Sequence, residues 1–128
     1  MAGLRDLAEQ LGGAGVQVEL AVTGERDLPE ALQFTVYRIV QEGLTNVVRH
    51  AGPGTGCRVT VDMSADRVDV QVEDDGAGRP GEGGGSGGHG LIGLRERVAM
   101  YGGTLRAGTR PEGGFTLAAS LPSAQDIA

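Results

Sequence analysis

The stretch VEDDGAGRPGEGGGSGGHGLIGLRERV, from Val72 to Val98, decides how this sequence folds and what it does. Seven of the ten residues from Gly81 to Gly90 are glycine, although the sequence on both sides has the periodic apolar pattern of a compact domain. Such a stretch is either a flexible tether or a place where the backbone closely approaches a ligand. The residues on its two sides decide between these alternatives.

The composition limits the class of protein. A chain of 128 residues has room for one domain with a sizeable core, and 39% hydrophobic residues is ordinary for a globular protein. The net charge of −6 and the lack of Trp argue against a nucleic-acid partner, because such a partner requires basic patches and aromatic stacking platforms. They leave open a single nucleotide whose charge is met by Mg²⁺ and backbone amides.

Cysteine usage and hydropathy indicate a reducing compartment. Cys57 is the only cysteine, so no disulfide forms within the chain. The sequence has no signal peptide and no apolar run near the roughly 18 residues that a membrane span needs. We therefore expect a cytoplasmic domain without direct membrane contact, and a larger, membrane-anchored parent protein stays open.

Apolar periodicity predicts a single α+β domain over residues 1–128. Helices are expected over 4–11, 27–51 and 91–101, with Asp27 as the capping acid of the second helix, and strands over 16–22, 59–63, 68–72, 104–107 and 115–121. Residues 1–14 are interpreted as the candidate tail of an upstream helix and 123–128 as a C-terminal tail. The pattern is typical of roughly five strands with helices packed on one face.

The long helix carries the first functional signal, in RIVQEGLTNVVRHAG. At about 100° per residue, Glu42, Asn46 and Arg49 project together from the face opposite the apolar stripe, with His50 at the edge of the group. These residues are suited to a magnesium-bound triphosphate: an amide oxygen for Mg²⁺, an acid to orient or deprotonate a nucleophile, and an Arg for phosphate. The alternative is an ordinary solvated helix face.

Asp74 is the second signal. It continues the core-facing register of Val68, Val70 and Val72, so its carboxylate is expected to point inward. A buried acid needs a hydrogen-bond donor, and the exocyclic amine of adenine is one that guanine lacks at that ring position. The alternative is an Asx-type turn in which Asp74 bonds to its own backbone.

The third signal is Gly88-His89-Gly90, immediately before a predicted helix. Free amides and the positive end of a helix dipole would there face a phosphate group. Gly88, Gly90 and Gly93 also match the dinucleotide fingerprint G-x-G-x-x-G. That interpretation fails on context, because the fingerprint requires a preceding strand within a βαβ unit and this triplet follows a glycine-rich loop.

Taken in order, these signals resemble the nucleotide-binding boxes of the histidine-kinase ATPase domain. QEGLTNVVRHA resembles the N box, Asp74-Asp75-Gly76-Ala77-Gly78 resembles the D-x-G-x-G box, and Gly88-His89-Gly90-Leu91 resembles the G-x-G-L box. GHGLIGLRERV is similar to sensor kinases of the nitrate-sensor and lipid-desaturase-sensor type, which pair with DNA-binding response regulators. The resemblance implies the Bergerat fold, a two-layer α/β sandwich with a mixed sheet of about five strands and about three helices on one face.

The resemblance also implies roles for individual residues. Asn46 is the implied magnesium ligand and Glu42 the implied base or water-orienting acid. The remaining residues that it places around the nucleotide are Arg49, His50, Asp74, Gly76, Gly78, Gly88, His89, Gly90 and Leu91. Among them Asp74 would accept from the adenine amine, Gly76 and Gly78 would shape the pocket wall, and residues 79–88 would form the ATP lid.

Two departures from the family pattern stand out. Phe115 occupies the place where the family often has a threonine near the adenine, and Thr116 comes next. The phosphoacceptor-histidine helix is missing, because His50 lies late in the N-box helix and His89 at the lid edge. The acceptor is therefore expected on a separate dimerisation domain.

The resulting prediction is an ATP- and Mg²⁺-binding catalytic domain of a two-component sensor histidine kinase. It would donate the γ-phosphate to a histidine of the dimerisation domain, with a response regulator downstream. Two alternatives stay open at this point. One is an anti-sigma-factor-type serine kinase of the same fold, and the other is a non-catalytic protein-binding module with a degenerate pocket.

Overall fold

The computed structural model describes residues 3–13, 15–24, 27–51, 55–75, 88–110 and 113–123. Within them the elements are α1 (Leu4–Gly12), β1 (Gln17–Thr23), α2 (Glu30–Ala51), β2 (Gly56–Met63), β3 (Arg67–Asp74), α3 (Gly88–Met100), β4 (Thr104–Thr109) and β5 (Phe115–Pro122). The predicted succession of helices and strands is confirmed. None of the described helices is long and apolar enough to span a bilayer.

The strands form one mixed sheet in the order β1-β2-β3-β5-β4. β1 runs parallel to β2, and the other neighbours are antiparallel. The predicted hairpin joins β2 and β3, with Cys57 opposite Asp74 and Met63 opposite Val68. Its turn is closed by the Ser64 amide, which donates to the Arg67 carbonyl at 2.9 Å.

Helices cover one face of this sheet, as predicted. α2 packs mainly on β3, α1 on β1 and α3 on β4. Between the two layers lie the buried apolar side chains, the largest of which are Leu4, Leu32, Ile39, Leu44, Leu117 and Leu121. The outer face carries polar residues, among them Thr60, Asp62, Asp69, Gln71, Arg106 and Ser120. The architecture is therefore the two-layer sandwich that the alternating patterns predicted.

The start of α2 differs from the prediction. The helix begins at Glu30, and the amide of Gln33 donates to the Pro29 carbonyl at 3.0 Å. Pro29 thus supplies the first acceptor carbonyl and stands just outside the helix. Asp27 lies two residues further upstream, too far from the first-turn amides for the N-cap position.

The sheet has two ends, which we name after Asp74 and Arg67, the last and first residues of β3. At the Asp74 end β3 and β4 finish while β1, β2 and β5 begin, and the Arg67 end is the opposite one. The last turn of α2 lies near the Asp74 end, because Ala51 is only a few residues from Gly56. The Gly56 carbonyl accepts from the Asp75 amide at 3.0 Å.

α3 also returns to the Asp74 end. The turn at Gly102, which has a φ of 79°, reverses the chain between α3 and β4. The 13 residues of α3 span about 20 Å and the 6 residues of β4 about the same distance. The first turn of α3 and the last turn of α2 therefore lie at the same end of the sheet as Asp74.

Candidate functional site

Asp74 is the last residue of β3 and is only 4% exposed. Val68, Val70 and Val72 precede it on the same buried face. The inward orientation expected from the alternation is confirmed. A carboxylate placed here has been taken out of water at the edge of an apolar core, an arrangement that is costly unless donors surround it.

Asn46 is also a buried polar side chain, with 5% exposure. Its amide oxygen Oδ1 is buried and has no hydrogen-bond partner among the described residues. A buried, unsatisfied carbonyl oxygen costs about 1–3 kcal/mol in a folded protein. This unfavourable burial occurs in α2 at the end of the sheet where Asp74 lies.

The burial of Asn46 corrects its predicted position on the face opposite the apolar stripe. Arg49 is exposed, as expected for the outer side of α2, whereas Glu42 is half-buried and lies at the edge of the buried arc. Asn46, however, follows Ile39 by seven residues, which brings it back to within about 20° of that buried side chain. The buried arc of α2 is wider than the stripe read from the sequence because α3 and α1 cover the flanks of this helix.

Gly43 brings α2 and β3 together. A Cβ atom on Gly43 would lie only 2.9 Å from Val72 Cβ and Cγ2, so the helix touches the strand where it has no side chain. Asn46 follows this contact by about one helical turn, and Asp74 follows Val72 by two strand residues. Both elements continue from the contact toward the Asp74 end of the sheet, which places the two buried polar groups near one another.

The β4–β5 hairpin closes the other side of Asp74. Gly114 is buried with a φ of 95°, and a Cβ atom there would lie 2.0 Å from the Asp74 carbonyl oxygen and 3.2 Å from its Oδ1. Only glycine permits this approach. The sequence offered a signal in the pair Gly113-Gly114, but its place beside Asp74 depends on a strand pairing that no local pattern reveals.

The remaining predicted site residues divide between the described and undescribed parts of the chain. Gly88, His89, Gly90 and Leu91 form the first turn of α3, so the helix begins at Gly88 instead of after Gly90. Leu91 packs against the core. His50 lies in the last turn of α2. Gly76, Gly78 and residues 79–87 of the predicted lid lie outside the described residues.

Phe115 and Thr116 open β5. Phe115 packs against the core and therefore faces inward, like Leu117. Thr116 pairs with Glu73 in the ladder, so its side chain lies on the outer face, away from the Asp74 carboxylate. Neither of these two positions supplies a hydroxyl on the Asp74 side of the sheet.

Carboxylates dominate the electrostatics of this end. Burial and, to a lesser extent, the nearby carboxylates of Asp74, Asp75 and Glu73 together raise the pKa of the Cys57 thiol from 9.0 to about 12. Cys57 lies directly opposite Asp74 in the sheet. The negative potential of these carboxylates disfavours a thiolate and favours a ligand that brings hydrogen-bond donors or a cation.

The described residues contain no cluster of three or more His, Cys, Asp or Glu side chains that could hold a metal ion. The unsatisfied Asn46 oxygen fits a different kind of metal site. Mg²⁺ takes hard oxygen ligands, keeps several of its waters and is commonly bound by one protein oxygen together with phosphate oxygens. The Asn46 oxygen therefore fits magnesium that arrives with a phosphorylated ligand.

Comparison with known proteins agrees with this geometry. The family model described as "Histidine kinase-, DNA gyrase B-, and HSP90-like ATPase" matches residues 31–125. Sensor histidine kinase LnrJ of Bacillus subtilis (strain 168) is 35% identical over 120 residues, which are 92% of this chain and 29% of that kinase. Sensor histidine kinase DesK of the same organism is 38% identical over 84 residues, which are 66% of this chain and 22% of that kinase.

A solved structure shows the same fold. The nucleotide-free catalytic domain of histidine kinase ThkA has a TM-score of 0.72 and 18% identity, with 93% of this chain and 88% of that chain covered. The chain thus spans less than a third of the two sensor kinases above and nearly the whole of an isolated catalytic domain. It belongs to the family of histidine kinase-, DNA gyrase B- and HSP90-like ATPases, as the ATP-binding catalytic domain of a sensor histidine kinase.

Proposed function

We propose that the Asp74 end of the sheet binds ATP together with Mg²⁺ and that the domain donates the γ-phosphate to a histidine on a separate dimerisation domain of its parent kinase. The observation that carries the proposal is the side-chain carbonyl oxygen of Asn46, which is buried near the end of β3 and has no hydrogen-bond partner within the part of the chain that the structure describes. ATP with Mg²⁺ would bring a cation to the Asn46 oxygen and an additional hydrogen-bond donor, the adenine amine, to the Asp74 carboxylate.

In this assignment, each end of the nucleotide has its own residues. Asp74 accepts from the exocyclic amine of adenine, and the family resemblance assigns Gly76 and Gly78, which lie outside the described residues, to the pocket wall. Asn46 holds Mg²⁺, which supplies charge neutralisation of the phosphates when bound. The other residues assigned to the phosphate side are Arg49, His50, Gly88, His89, Gly90 and Leu91, where the first turn of α3 presents amides and a positive dipole end.

The transfer itself needs positioning more than covalent chemistry. A lone pair on the acceptor imidazole nitrogen forms the N–P bond, and the bond between the γ-phosphorus and the bridging oxygen breaks with its electron pair leaving on ADP. In this proposal the half-buried carboxylate of Glu42 orients the imidazole or takes its proton. A response regulator then receives the phosphoryl group, and the domain works in the cytoplasm whether or not its parent is membrane-anchored.

Isothermal titration of the chain with ATP and with GTP, each with and without Mg²⁺, tests the binding part of this proposal. We expect adenine-selective binding that weakens by about 10- to 100-fold in Asp74→Asn, since a hydrogen bond to a charged group contributes about 1.5–3 kcal/mol. The substitution keeps the shape of the side chain, so the melting temperature serves as the control for folding.

Equal affinities for ATP and GTP, or no binding at millimolar ATP, would contradict the assignment of Asp74. The transfer part is tested with γ-labelled ATP and the dimerisation domain of the parent supplied in trans. We expect a label on that domain which is lost in acid and survives base, as a phosphorylated imidazole requires. An acid-stable label would instead indicate transfer to a hydroxyl group.

A further inference from the structure

The ladder that joins β3 to β5 stops one residue before Asp74. Its last pair is Glu73 with Thr116, whereas on the other side β3 still pairs with β2 at Asp74 and Cys57. The carbonyl of Asp74 is therefore beyond the reach of the strand pairing on the β5 side. A backbone acceptor at such a place needs a donor from elsewhere.

Arg110 supplies a donor to this carbonyl. Its Nη1 atom donates to the Asp74 oxygen at 3.1 Å and lies 3.7 Å from Glu73 Oε1. The second carboxylate oxygen of Glu73, Oε2, accepts from Gln71 Nε2 at 2.9 Å. Three side chains thus form a chain of contacts that ends on the backbone of Asp74.

Hydrogen bonds also hold the backbone of Arg110 in place. Its amide donates to the Gly114 carbonyl at 2.9 Å, and its carbonyl accepts from the Gly113 amide at 3.0 Å, so the residue belongs to the closed turn between β4 and β5. The side chains of Arg110 and Glu73 are 25% and 29% exposed. At this degree of burial, water screens their attraction less than it does for a fully exposed pair.

The peptide group that follows Asp74 is consequently held at both ends. Its oxygen accepts from Arg110, and its nitrogen, which belongs to Asp75, donates to the Gly56 carbonyl at 3.0 Å. The Asp75 carboxylate adds a further bond, since its Oδ1 accepts from the Gly56 amide at 3.0 Å. A peptide plane fixed on both sides fixes the direction in which the Asp74 side chain leaves the backbone.

We propose that Arg110 is a positioning residue for Asp74: by holding the Asp74 carbonyl from the β4–β5 turn, it aims the carboxylate at the exocyclic amine of adenine and so sets nucleotide selectivity. The inference rests on the proposed role of Asp74 in ATP binding. Arg110 contacts the Asp74 backbone and affects adenine binding indirectly, through the orientation of the Asp74 carboxylate.

The test compares ATP with purine riboside triphosphate, which is ATP without the exocyclic amine. The ratio of the two dissociation constants reports the amine contact alone, because the ribose and phosphates are identical. In the unchanged chain we expect a ratio of about ten or more in favour of ATP. In Arg110→Ala the ratio falls to about 2 or below, since a carboxylate displaced by a fraction of an ångström loses its directed bond.

Arg106→Ala is the matched control. Arg106 is an exposed residue of the same hairpin, on β4, and its loss changes the net charge by the same amount. We expect its ratio to equal that of the unchanged chain. Arg110→Lys restores part of the selectivity, because an ammonium can donate to the same carbonyl, and Glu73→Gln lowers the ratio by less than Arg110→Ala.

The outcomes separate this inference from the proposed function. A ratio near one in the unchanged chain would remove the role of Asp74 and the inference with it. A high ratio that is lost in Asp74→Asn but kept in Arg110→Ala would leave Asp74 in place and overturn the role of Arg110. Equal weakening of both nucleotides in Arg110→Ala would likewise overturn it, and Glu73→Gln gives the decisive ratio where Arg110→Ala does not fold.

Discussion

The two ends of the sheet are built from the same five strands but end differently. At the Arg67 end the backbone closes on itself: the Ser64 amide donates to Arg67, the Ser123 amide to Asp66, and the Gly103 amide to Val98, all at 2.9–3.0 Å. Short turns satisfy the groups that the strands leave over. We therefore interpret the Arg67 end as one that stabilises the fold.

The Asp74 end leaves polar groups inside. Among the described residues the Asn46 oxygen is buried without a hydrogen-bond partner, the β3–β5 ladder stops at Glu73, and the Arg110 side chain donates to the Asp74 carbonyl. Buried polar groups that a fold could have avoided indicate a site prepared for a ligand. The comparison therefore supports the proposal that the ligand binds at the Asp74 end.

Substitution of two glycines, one at each end of the sheet, is expected to give the largest loss of stability and so tests the comparison of the two ends. A Cβ atom on Gly114 would lie 2.0 Å from the Asp74 oxygen, and one on Gly24 would lie 2.0 Å from the Met63 oxygen, both at positive φ. Each Gly→Ala substitution should lower the free energy of unfolding by about 2 kcal/mol or more. Only Gly114→Ala should also weaken ATP binding, as measured by urea unfolding and titration on the same samples. Weakening of ATP binding to the same extent by Gly24→Ala would remove the distinction between the two ends.

Gly43→Ala is expected to give the next largest loss of stability. The new methyl group would lie 2.9–3.0 Å from the Val72 side chain, and overpacking of this kind costs about 1–3 kcal/mol. Because α2 must move away from β3, the distance between Asn46 and Asp74 changes, and we expect weaker binding of ATP with Mg²⁺. Gly93→Ala is the control, since nothing lies within 4 Å of its added methyl group and it sits in a helix. Unchanged ATP affinity in Gly43→Ala would contradict the role given to this contact.

Much of the fold was predictable because periodicity is local. The alternation of Val59, Val61 and Met63 with polar residues, and the stripe of Leu94 and Val98, state which face is buried without knowledge of the neighbours. The inward position of Asp74 followed from the same rule. Where burial depends on one element alone, the sequence is sufficient.

The errors lie where two or three elements determine the result together. Asn46 was assigned to the outer face of α2, and it is buried because other helices widen the covered arc. The close approach of Gly114 and the contact of Arg110 both involve Asp74, which lies 40 and 36 positions away from them in the chain. No pattern within a short window of sequence contains such a pairing.

Asn46→Ala should have a small effect on stability and a large one on magnesium. Removal of an unsatisfied buried oxygen offsets the loss of packing, so we expect the free energy of unfolding to change by less than about 1 kcal/mol. The enhancement of ATP affinity by Mg²⁺ should fall by at least about tenfold, the lower range for groups that support a metal. A strongly destabilised variant that keeps its Mg²⁺ dependence would show that Asn46 is a structural residue. Thr35→Ala, another buried polar position on α2, serves as the control.

The last prediction concerns Cys57, whose effect is absent near neutral pH and appears only in alkali. Its pKa is raised from 9.0 to about 12 in the folded chain, so the folded state holds this proton more tightly than the unfolded state does. Stability from this group is complete below pH 9 and is lost as pH rises from 9 toward 12. Urea unfolding should therefore show a steeper alkaline loss of stability for the unchanged chain than for Cys57→Ala. Parallel curves, or rapid reaction of the native thiol with a disulfide reagent near neutral pH, would contradict the described burial.

Backbone amide shifts during a titration with ATP and Mg²⁺ test the central claim most directly. In ¹H–¹⁵N spectra of the chain we expect the largest changes at the Asp74 end, at Gly56, Asp74, Asp75 and Phe115 and in the second half of α2. The amides of Ser64, Arg67 and Thr104 at the Arg67 end should keep their positions. Changes centred on the Arg67 end or on the outer face of the sheet, or none at saturating ATP, would contradict the claim that ATP binds where the fold leaves its polar groups buried.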